Sequence, residues 1–207
     1  MSYNIYSVLL ATTNPGKIKE IRSCFGNEIE LKSLKDFGDI KEIEEDGQTF
    51  EENARKKALG YAKATGCFTI ADDSGLVIDA LGGAPGVKSA RFSGDKQRNE
   101  ERAIIDHRNI AKVLELLKDV SKDKRAARFV CCLCMASPDK ILIEASGAME
   151  GIIIDKEIGT NGFGYDPILY IPELQKTVAQ LTQEEKNEIS HRGKAIRELK
   201  KKINNLK

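Results

Sequence analysis

The sequence predicts an α/β fold in which a mixed central β-sheet is flanked by helices, with two lobes and an active-site cleft between them. Strand-like and helix-like segments alternate through the first half of the chain, and three strand candidates follow one another closely within residues 128–154. Alternation favours parallel strands joined by helices, whereas short connections favour antiparallel neighbours. We expect the 207 residues to form a single domain, residues 1–207, made of the two lobes.

The first predicted strand covers residues 6–11 and is followed by Asn14 and Pro15, which suit the N-cap and first position of a helix. Gly26 is expected to end that helix, and residues 29–34 give a second strand candidate. Thr49 with Glu52 resembles a capping box, which predicts a helix that closes at Gly66.

The next strand is predicted at residues 67–71, and Asp72, Asp73, Ser74 and Gly75 after it are expected to form a tight turn. Further helices are predicted at residues 109–117 and 183–205, and the charged segment at residues 95–108 is also expected to be helical. The three later strand candidates are residues 128–136, 141–145 and 148–154.

Composition excludes several classes of protein. The net charge of +1 gives no global attraction to nucleic acid or to an anionic membrane. No apolar stretch approaches the roughly 20 residues of a membrane span, and the first residues lack the pattern of a signal peptide. The five cysteines are odd in number and four of them lie in strand-like apolar runs, which favours reduced, buried thiols in a cytoplasmic protein.

The adjacent carboxylates of Asp72 and Asp73 are the most informative feature of the chain. Two carboxylates held together repel each other, and burial adds to the cost of their charge. Mg²⁺ would remove that cost, because it prefers oxygen ligands and keeps water and substrate phosphates as its other partners. The alternative is that one Asp caps a turn while the other is solvated.

Four further segments carry candidate binding groups. Residues 12–17 place two hydroxyls, an amide and an ammonium at a helix start, where anions bind, although an N-cap with a surface lysine would look the same. The acidic loop at residues 42–46 could supply a second metal ligand or be a solvated face.

The glycine-rich segment at residues 162–167 allows close approach to a ligand, and Phe163 could stack on a base, or the segment could be a turn with core aromatics. Lys186 and Ser190 are four residues apart and are expected to share a helix face. The neighbouring Arg192 is a pure hydrogen-bond donor that suits a base carbonyl, although a solvated helix with a lone His is the commoner arrangement.

Together these segments resemble the inosine triphosphate pyrophosphatase family of non-standard purine nucleoside triphosphatases, the HAM1-like proteins. The resemblance is carried by LLATTNPGK, EEDGQTFEENARKKA, IADDSGLVIDALGGAPGVKSARFSG, GFGYDPILY and LTQEEKNEISHRGKA, which occur in family order. It implies Mg²⁺-dependent hydrolysis of ITP, dITP and XTP to the nucleoside monophosphate and diphosphate. It also implies a homodimer.

The resemblance assigns roles to individual positions. Asp73 would be the proton acceptor and a metal ligand, Glu44 the other metal ligand, and Lys17 a catalytic group on the phosphates. The substrate-binding residues would be Thr12, Thr13, Asn14, Pro15, Gly16, Lys17, Ser74, Phe163, Gly164, Tyr165, Asp166, Lys186, His191 and Arg192.

Two alternatives remain at this point. A nucleotide pyrophosphatase of the Maf kind would share the phosphate and metal chemistry but act on other modified nucleotides. A non-catalytic nucleotide sensor would bind ITP without turnover.

Overall fold

The computed structural model describes residues 7–26, 29–94 and 100–205. Its strands are β1 (Ser7–Leu10), β2 (Glu30–Ser33), β3 (Thr69–Ile78), β4 (Ala126–Ala136), β5 (Ile141–Ile153), β6 (Leu169–Ile171) and β7 (Lys176–Thr177). Its helices are α1 (Pro15–Phe25), α2 (Phe50–Thr65), α3 (Arg102–Leu116), α4 (Gln183–Ile189) and α5 (His191–Asn204). Tyr6 and residues 95–99, which fall in a predicted strand and a predicted helix, lie outside the described residues.

The seven strands form one mixed sheet in the order β2-β1-β3-β4-β5-β6-β7. β1 is parallel to β2 and to β3, with Leu9 opposite Thr69 in the second pair. β6 is antiparallel to both β5 and β7. The predicted α/β class with a mixed sheet is confirmed, because the parallel pairs follow the strand–helix alternation of the first half of the chain.

The chain divides into two compact units. Unit 1 comprises residues 1–73, 131–148 and 187–207, and unit 2 comprises residues 74–130 and 149–186. The boundaries fall inside β3, β4 and β5, so each of these strands contributes residues to both units. The single domain with a cleft stays a prediction.

The core of unit 1 packs α1 and α5 against strand side chains. Its buried members include Val8, Leu10, Ile21, Phe25, Ile70, Leu133, Met135, Ile196 and Leu199. Each such side chain stabilises the fold by about 1.5–3 kcal/mol relative to exposure. This core fixes the carboxyl end of β1 and the start of α1.

The predicted turn at Asp72–Gly75 is wrong, because β3 continues through these residues to Ile78. Gly75 is needed for packing and not for a turn. A Cβ atom built there would lie 2.3 Å from Ser89 Oγ and 2.7 Å from Gly86 O, on a neighbouring 3-10 helix at Gly86–Arg91. The strand therefore carries both aspartates in extended backbone, with their side chains on opposite faces.

Gly75→Ala is expected to destabilise the protein by about 1–3 kcal/mol, because the added methyl group meets a backbone carbonyl that cannot rotate away. Denaturant unfolding of the purified variant measures the change. A variant as stable as the wild type would show that the 3-10 helix at Gly86–Arg91 can move aside without cost.

Two other predicted boundaries are also wrong. The candidates at residues 141–145 and 148–154 are one strand, β5, which runs through Gly147. The missing side chain of Gly147 leaves room for His191 O, which a Cβ atom would approach to 2.3 Å. The final helix is two helices, because the Ser190 hydroxyl accepts from Gly193 N at 3.1 Å and begins α5.

Two lysines of α5 lie along β5 in unit 1. Lys194 Nζ donates to Ala148 O and Lys202 Nζ donates to Glu144 O, both at 2.8 Å. β6 pairs with β5 only later, at Ile152 and Ile153. The ammonium groups thus satisfy backbone carbonyls in the part of β5 that precedes its pairing with β6.

Within the described ranges, no helix has the length and apolar character needed to cross a membrane.

Candidate active site

The turn between β1 and α1 is built around Asn14. Its Oδ1 accepts from Gly16 N at 2.9 Å and from Lys17 N at 3.2 Å, which confirms Asn14 as the N-cap and Pro15 as the first helical residue. Thr12 Oγ1 accepts from Asn14 N at 3.2 Å. Because the cap already satisfies two helix N–H groups, the ammonium of Lys17 is the main attraction for an anion here.

Asp72 is fully buried at the centre of a charge cluster in unit 1. Lys17 Nζ forms an ion pair with its Oδ1, and Arg192 Nε donates to its Oδ2 at 2.9 Å. Cys131 Sγ donates to the same oxygen at 3.1 Å. Burial alone would raise the pKa of Asp72, but the charges of Arg192 and Lys17 hold the pKa well below its usual range. Asp72 is therefore a permanent anion that fixes two cations.

Arg192 is only 2% exposed and is paired on two sides. Besides Asp72, its guanidinium bonds Glu20, which lies on α1 and is itself 4% exposed. An Arg between two buried carboxylates is a structural element of unit 1 as well as a candidate ligand group. Its predicted contact with a base carbonyl stays a prediction.

Asp73 lies next to this cluster on β3 and has different partners. Asn53 Nδ2 donates to Asp73 Oδ2 at 3.0 Å, and Lys57 Nζ lies 3.6 Å from Asp73 Oδ1. Burial raises the pKa of Asp73 to about 6, against the opposing charges of Lys57 and Lys17. A carboxyl group with such a pKa can exchange a proton near neutral pH, which is the property of a general base.

Sequence reasoning missed the two α2 residues that face Asp73. Asn53 and Lys57 are one helical turn apart and are 1% and 7% exposed. The signal was available, because a helical wheel places both among Phe50, Ala54, Ala58 and Tyr61 on the apolar face of α2. Buried polar residues on such a face need partners, and here the partner is Asp73.

The acidic loop contributes a different residue from the one singled out by the sequence. Lys57 Nζ donates to Glu45 Oε2 at 2.8 Å and to Asp72 O at 2.7 Å, whereas Glu44 is exposed. Asn53 Oδ1 accepts from Gly47 N at 2.8 Å and so ties the loop to α2. Glu44 as a metal ligand stays a prediction.

A hard divalent cation fits the donor set. The carboxylates of Asp73 and Glu45 converge on the ammonium of Lys57, which shows that this spot attracts positive charge. Among the described residues, no group of three Asp, Glu, His or Cys could hold a metal ion alone. Mg²⁺ needs fewer protein ligands than that, because water and phosphate oxygens complete its shell.

The predicted glycine-rich segment belongs to unit 2. Asp166 Oδ2 accepts from Phe163 N at 2.8 Å and from Lys186 Nζ at 2.5 Å. Lys186 Nζ also lies 5.0 Å from the centre of the Phe163 ring. Tyr165 is 4% exposed and its hydroxyl donates to Ser89 O at 2.8 Å, so its side chain holds the segment in place. The structure thus brings Phe163, Asp166 and Lys186 together.

The break between α4 and α5 separates residues that the sequence placed on one helix face. Lys186 lies on α4 in unit 2, whereas Ser190, His191 and Arg192 lie in unit 1. The expectation that Lys186 and Ser190 share a helix face is therefore wrong, because the Ser190 hydroxyl caps a new helix. Ser74 is half-buried on β3 and is the first residue of unit 2.

Comparison with known proteins adds relatives that align along nearly the whole chain. A dITP/XTP pyrophosphatase of Bacillus cereus is 48% identical over 203 residues, which cover 97% of this chain and 96% of that protein. A dITP/XTP pyrophosphatase of Listeria monocytogenes is 47% identical over 197 residues, 95% of this chain and 94% of that protein.

Solved structures agree with the fold. The Ham1 protein of Staphylococcus aureus has a TM-score of 0.83 and 40% identity, covering 97% of this chain and 100% of that chain. A HAM1 protein from Coxiella burnetii has a TM-score of 0.84 and 39% identity, covering 96% and 98%. The model of the Ham1 family matches residues 8–202. The chain belongs to the Ham1 family.

Proposed function

We propose that this protein hydrolyses the non-standard purine nucleoside triphosphates ITP, dITP and XTP. The products are the nucleoside monophosphate and inorganic diphosphate, and the reaction removes the non-standard triphosphates from the nucleotide pool. The relatives named dITP/XTP pyrophosphatase support the substrate class. The observation that carries the reaction is Asp73, a buried carboxyl group with a pKa of about 6 beside Lys57.

We infer that Mg²⁺ is the cofactor and that Asp73 and Glu44 hold it, as the resemblance implies. When bound, Mg²⁺ neutralises phosphate oxygens and the charge that develops on the leaving diphosphate. Both side chains are carboxylates, and Mg²⁺ prefers oxygen ligands.

Asp73 supplies the base in this proposal. It accepts a proton from the water that attacks the α-phosphorus, and a base placed in this way contributes typically 10²–10⁴-fold. Asn53 fixes the carboxylate through Oδ2. Lys57 stabilises its ionised form, since their charged atoms are 3.6 Å apart.

Lys17 meets the phosphate chain, together with the hydroxyls of Thr12 and Thr13. Its ammonium is held by the permanent anion of Asp72, so it remains charged and fixed in direction before the substrate arrives. Arg192 would donate to a base carbonyl, and Phe163 with its segment would stack on the base. Ser74 and His191 would contact other parts of the nucleotide.

A panel of purine and pyrimidine triphosphates, assayed with Mg²⁺ for release of diphosphate, tests the proposal. We expect ITP, dITP and XTP to be hydrolysed at least tenfold more efficiently than ATP, because a mismatched buried hydrogen bond at the base costs about 1–3 kcal/mol. Preference for modified pyrimidines would instead indicate an enzyme of the Maf kind. Tight binding of ITP without turnover would indicate a nucleotide sensor.

The homodimer implied by the resemblance and the cytoplasmic location expected from the reduced thiols are also part of this proposal. Sedimentation of the purified protein at several concentrations measures the first of these directly.

A further inference from the structure

A buried carboxylate in unit 2 has no part in the proposed chemistry. Asp106, on α3, is only 8% exposed. Burial of a charge is costly unless the group is paired and hydrogen-bonded, so a carboxylate in this position needs a structural reason. The reason lies in the two groups that its oxygens meet.

One oxygen of Asp106 binds backbone far away in the sequence. Oδ2 accepts from Gly164 N at 2.8 Å, across 58 residues of chain. Oδ1 lies 2.9 Å from Arg102 Nε, one turn earlier on the same helix. Arg102 therefore supports the charge of Asp106, while Gly164 is the group that Asp106 holds.

Gly164 belongs to the segment expected to bind the base. Gly162 and Gly164 have positive φ angles of 78° and 61°, which non-glycine residues rarely adopt. The neighbouring Phe163 N donates to Asp166 within the segment, whereas Gly164 N donates to Asp106 outside it. Two successive backbone N–H groups are thus held by two carboxylates, and the one from α3 ties the segment to the rest of unit 2.

A second tie comes from the same face of α3. Asn109 is 1% exposed, and its Nδ2 donates to Ser89 O at 3.3 Å while its Oδ1 accepts from Ser93 N at 2.8 Å. Ser89 O also accepts from the Tyr165 hydroxyl at 2.8 Å. Gly164 and Tyr165 are therefore both fixed by a framework that α3 organises.

We propose that Asp106 is a positioning residue that holds Gly164, and through it the Phe163 ring, in the place where a purine base binds. This inference rests on the proposed function. Asp106 acts through the backbone of the segment and does not touch the substrate. Its loss should weaken interactions with the base and leave the interaction of the phosphate chain with Lys17 unchanged.

The test compares Asp106→Ala with Asp106→Asn, whose amide oxygen can still accept from Gly164 N. For Asp106→Ala we expect KM for ITP to rise about tenfold or more, with kcat within about threefold of the wild type. The ITP:ATP ratio of kcat/KM should fall. The inhibition constant of inorganic tripolyphosphate, which has no base, should change less than about twofold. Asp106→Asn should have a KM for ITP close to that of the wild type.

His107→Ala is the matched control, because His107 is the next residue on α3 and its side chain is 69% exposed, beside Glu157. It should match the wild type in KM. The proposal is overturned if Asp106→Ala leaves KM for ITP unchanged. It is also overturned if the substitution weakens inhibition by tripolyphosphate by as large a factor as it raises KM for ITP. It is overturned as well if Asp106→Asn is as impaired as Asp106→Ala, since the charge beside Arg102 would then be what matters.

If Asp106→Ala loses its cooperative unfolding transition, Asp106→Glu decides instead. This variant keeps the charge beside Arg102 but moves the acceptor away from Gly164 N. KM for ITP must therefore still rise, while inhibition by tripolyphosphate remains as in the wild type. An unchanged KM in that variant contradicts the inference. Failure of the proposed function would be seen separately, as wild-type protein that releases no diphosphate from ITP, dITP or XTP.

Discussion

Asp73→Asn is expected to lose activity by about 10²–10⁴-fold while becoming more stable than the wild type at neutral pH. The amide keeps the size of the carboxyl group and cannot accept the proton of the attacking water. It also removes a charge that burial disfavours, as the rise of the Asp73 pKa to about 6 indicates. The residue that supports turnover thus weakens the fold.

The sign of the stability effect follows from the direction of the pKa shift. The folded protein binds the Asp73 proton more tightly than the unfolded chain does, so ionisation costs stability as pH rises from about 4 to above 6. At about 1.4 kcal/mol for each pKa unit, the cost above pH 6 is about 1–3 kcal/mol. The stability advantage of Asp73→Asn should therefore be largest above pH 6 and vanish near pH 4.

Urea unfolding of wild type and variant at a series of pH values, without added metal, measures this difference. Asp119→Asn is the control, because Asp119 is exposed and the substitution removes the same charge. Near wild-type diphosphate release in Asp73→Asn would refute its role as the base. A variant less stable than wild type at pH 7 would show that the contacts with Asn53 and Lys57 outweigh burial.

Arg192→Ala is expected to destabilise unit 1 by about 3–5 kcal/mol, the cost of leaving buried charges without a partner. Arg192 lies between Asp72 and Glu20, both nearly inaccessible to water. Urea unfolding provides the measurement. Lys201→Ala, an exposed change on the same helix, should alter stability by less than about 0.5 kcal/mol.

The same expectation decides how base recognition should be tested. Loss of the ITP:ATP preference in Arg192→Ala could follow from damage to the fold, so Arg192→Lys, which keeps the charge but not the planar fork, is the informative variant. We expect it to lie between wild type and alanine in stability. If Arg192→Ala lowers the free energy of unfolding by less than about 1 kcal/mol, other groups must neutralise the charges of Asp72 and Glu20.

Local chemistry made much of the fold predictable. Asn14 followed by Pro15 begins α1, and Gly26 and Gly66 end α1 and α2, because caps depend on a few neighbouring residues. The role of Gly75 was predicted wrongly, because it depends on a contact with residues distant along the chain. Its lack of a side chain makes room for the backbone near Gly86, a contact that no local pattern reveals.

The sequence likewise indicated some residues of the candidate site but not the contacts between them. The pair Asp72–Asp73 stands out in the sequence, but the different environments of the two carboxyl groups depend on tertiary contacts. Glu20 and Arg192 meet across 172 residues, which spacing within one sequence cannot indicate. Lys57 was within reach, because it lies on the apolar face of its own helix.

The two lysines along β5 limit how copies of this protein can associate. A strand that pairs with a sheet edge must find free carbonyl groups, and here Lys194 and Lys202 hold those of Ala148 and Glu144. An incoming strand would have to displace both ammonium groups and leave them without those acceptors. Strand pairing between copies of the chain along this stretch of β5 is therefore disfavoured, and so is the growth of long stacked aggregates from it.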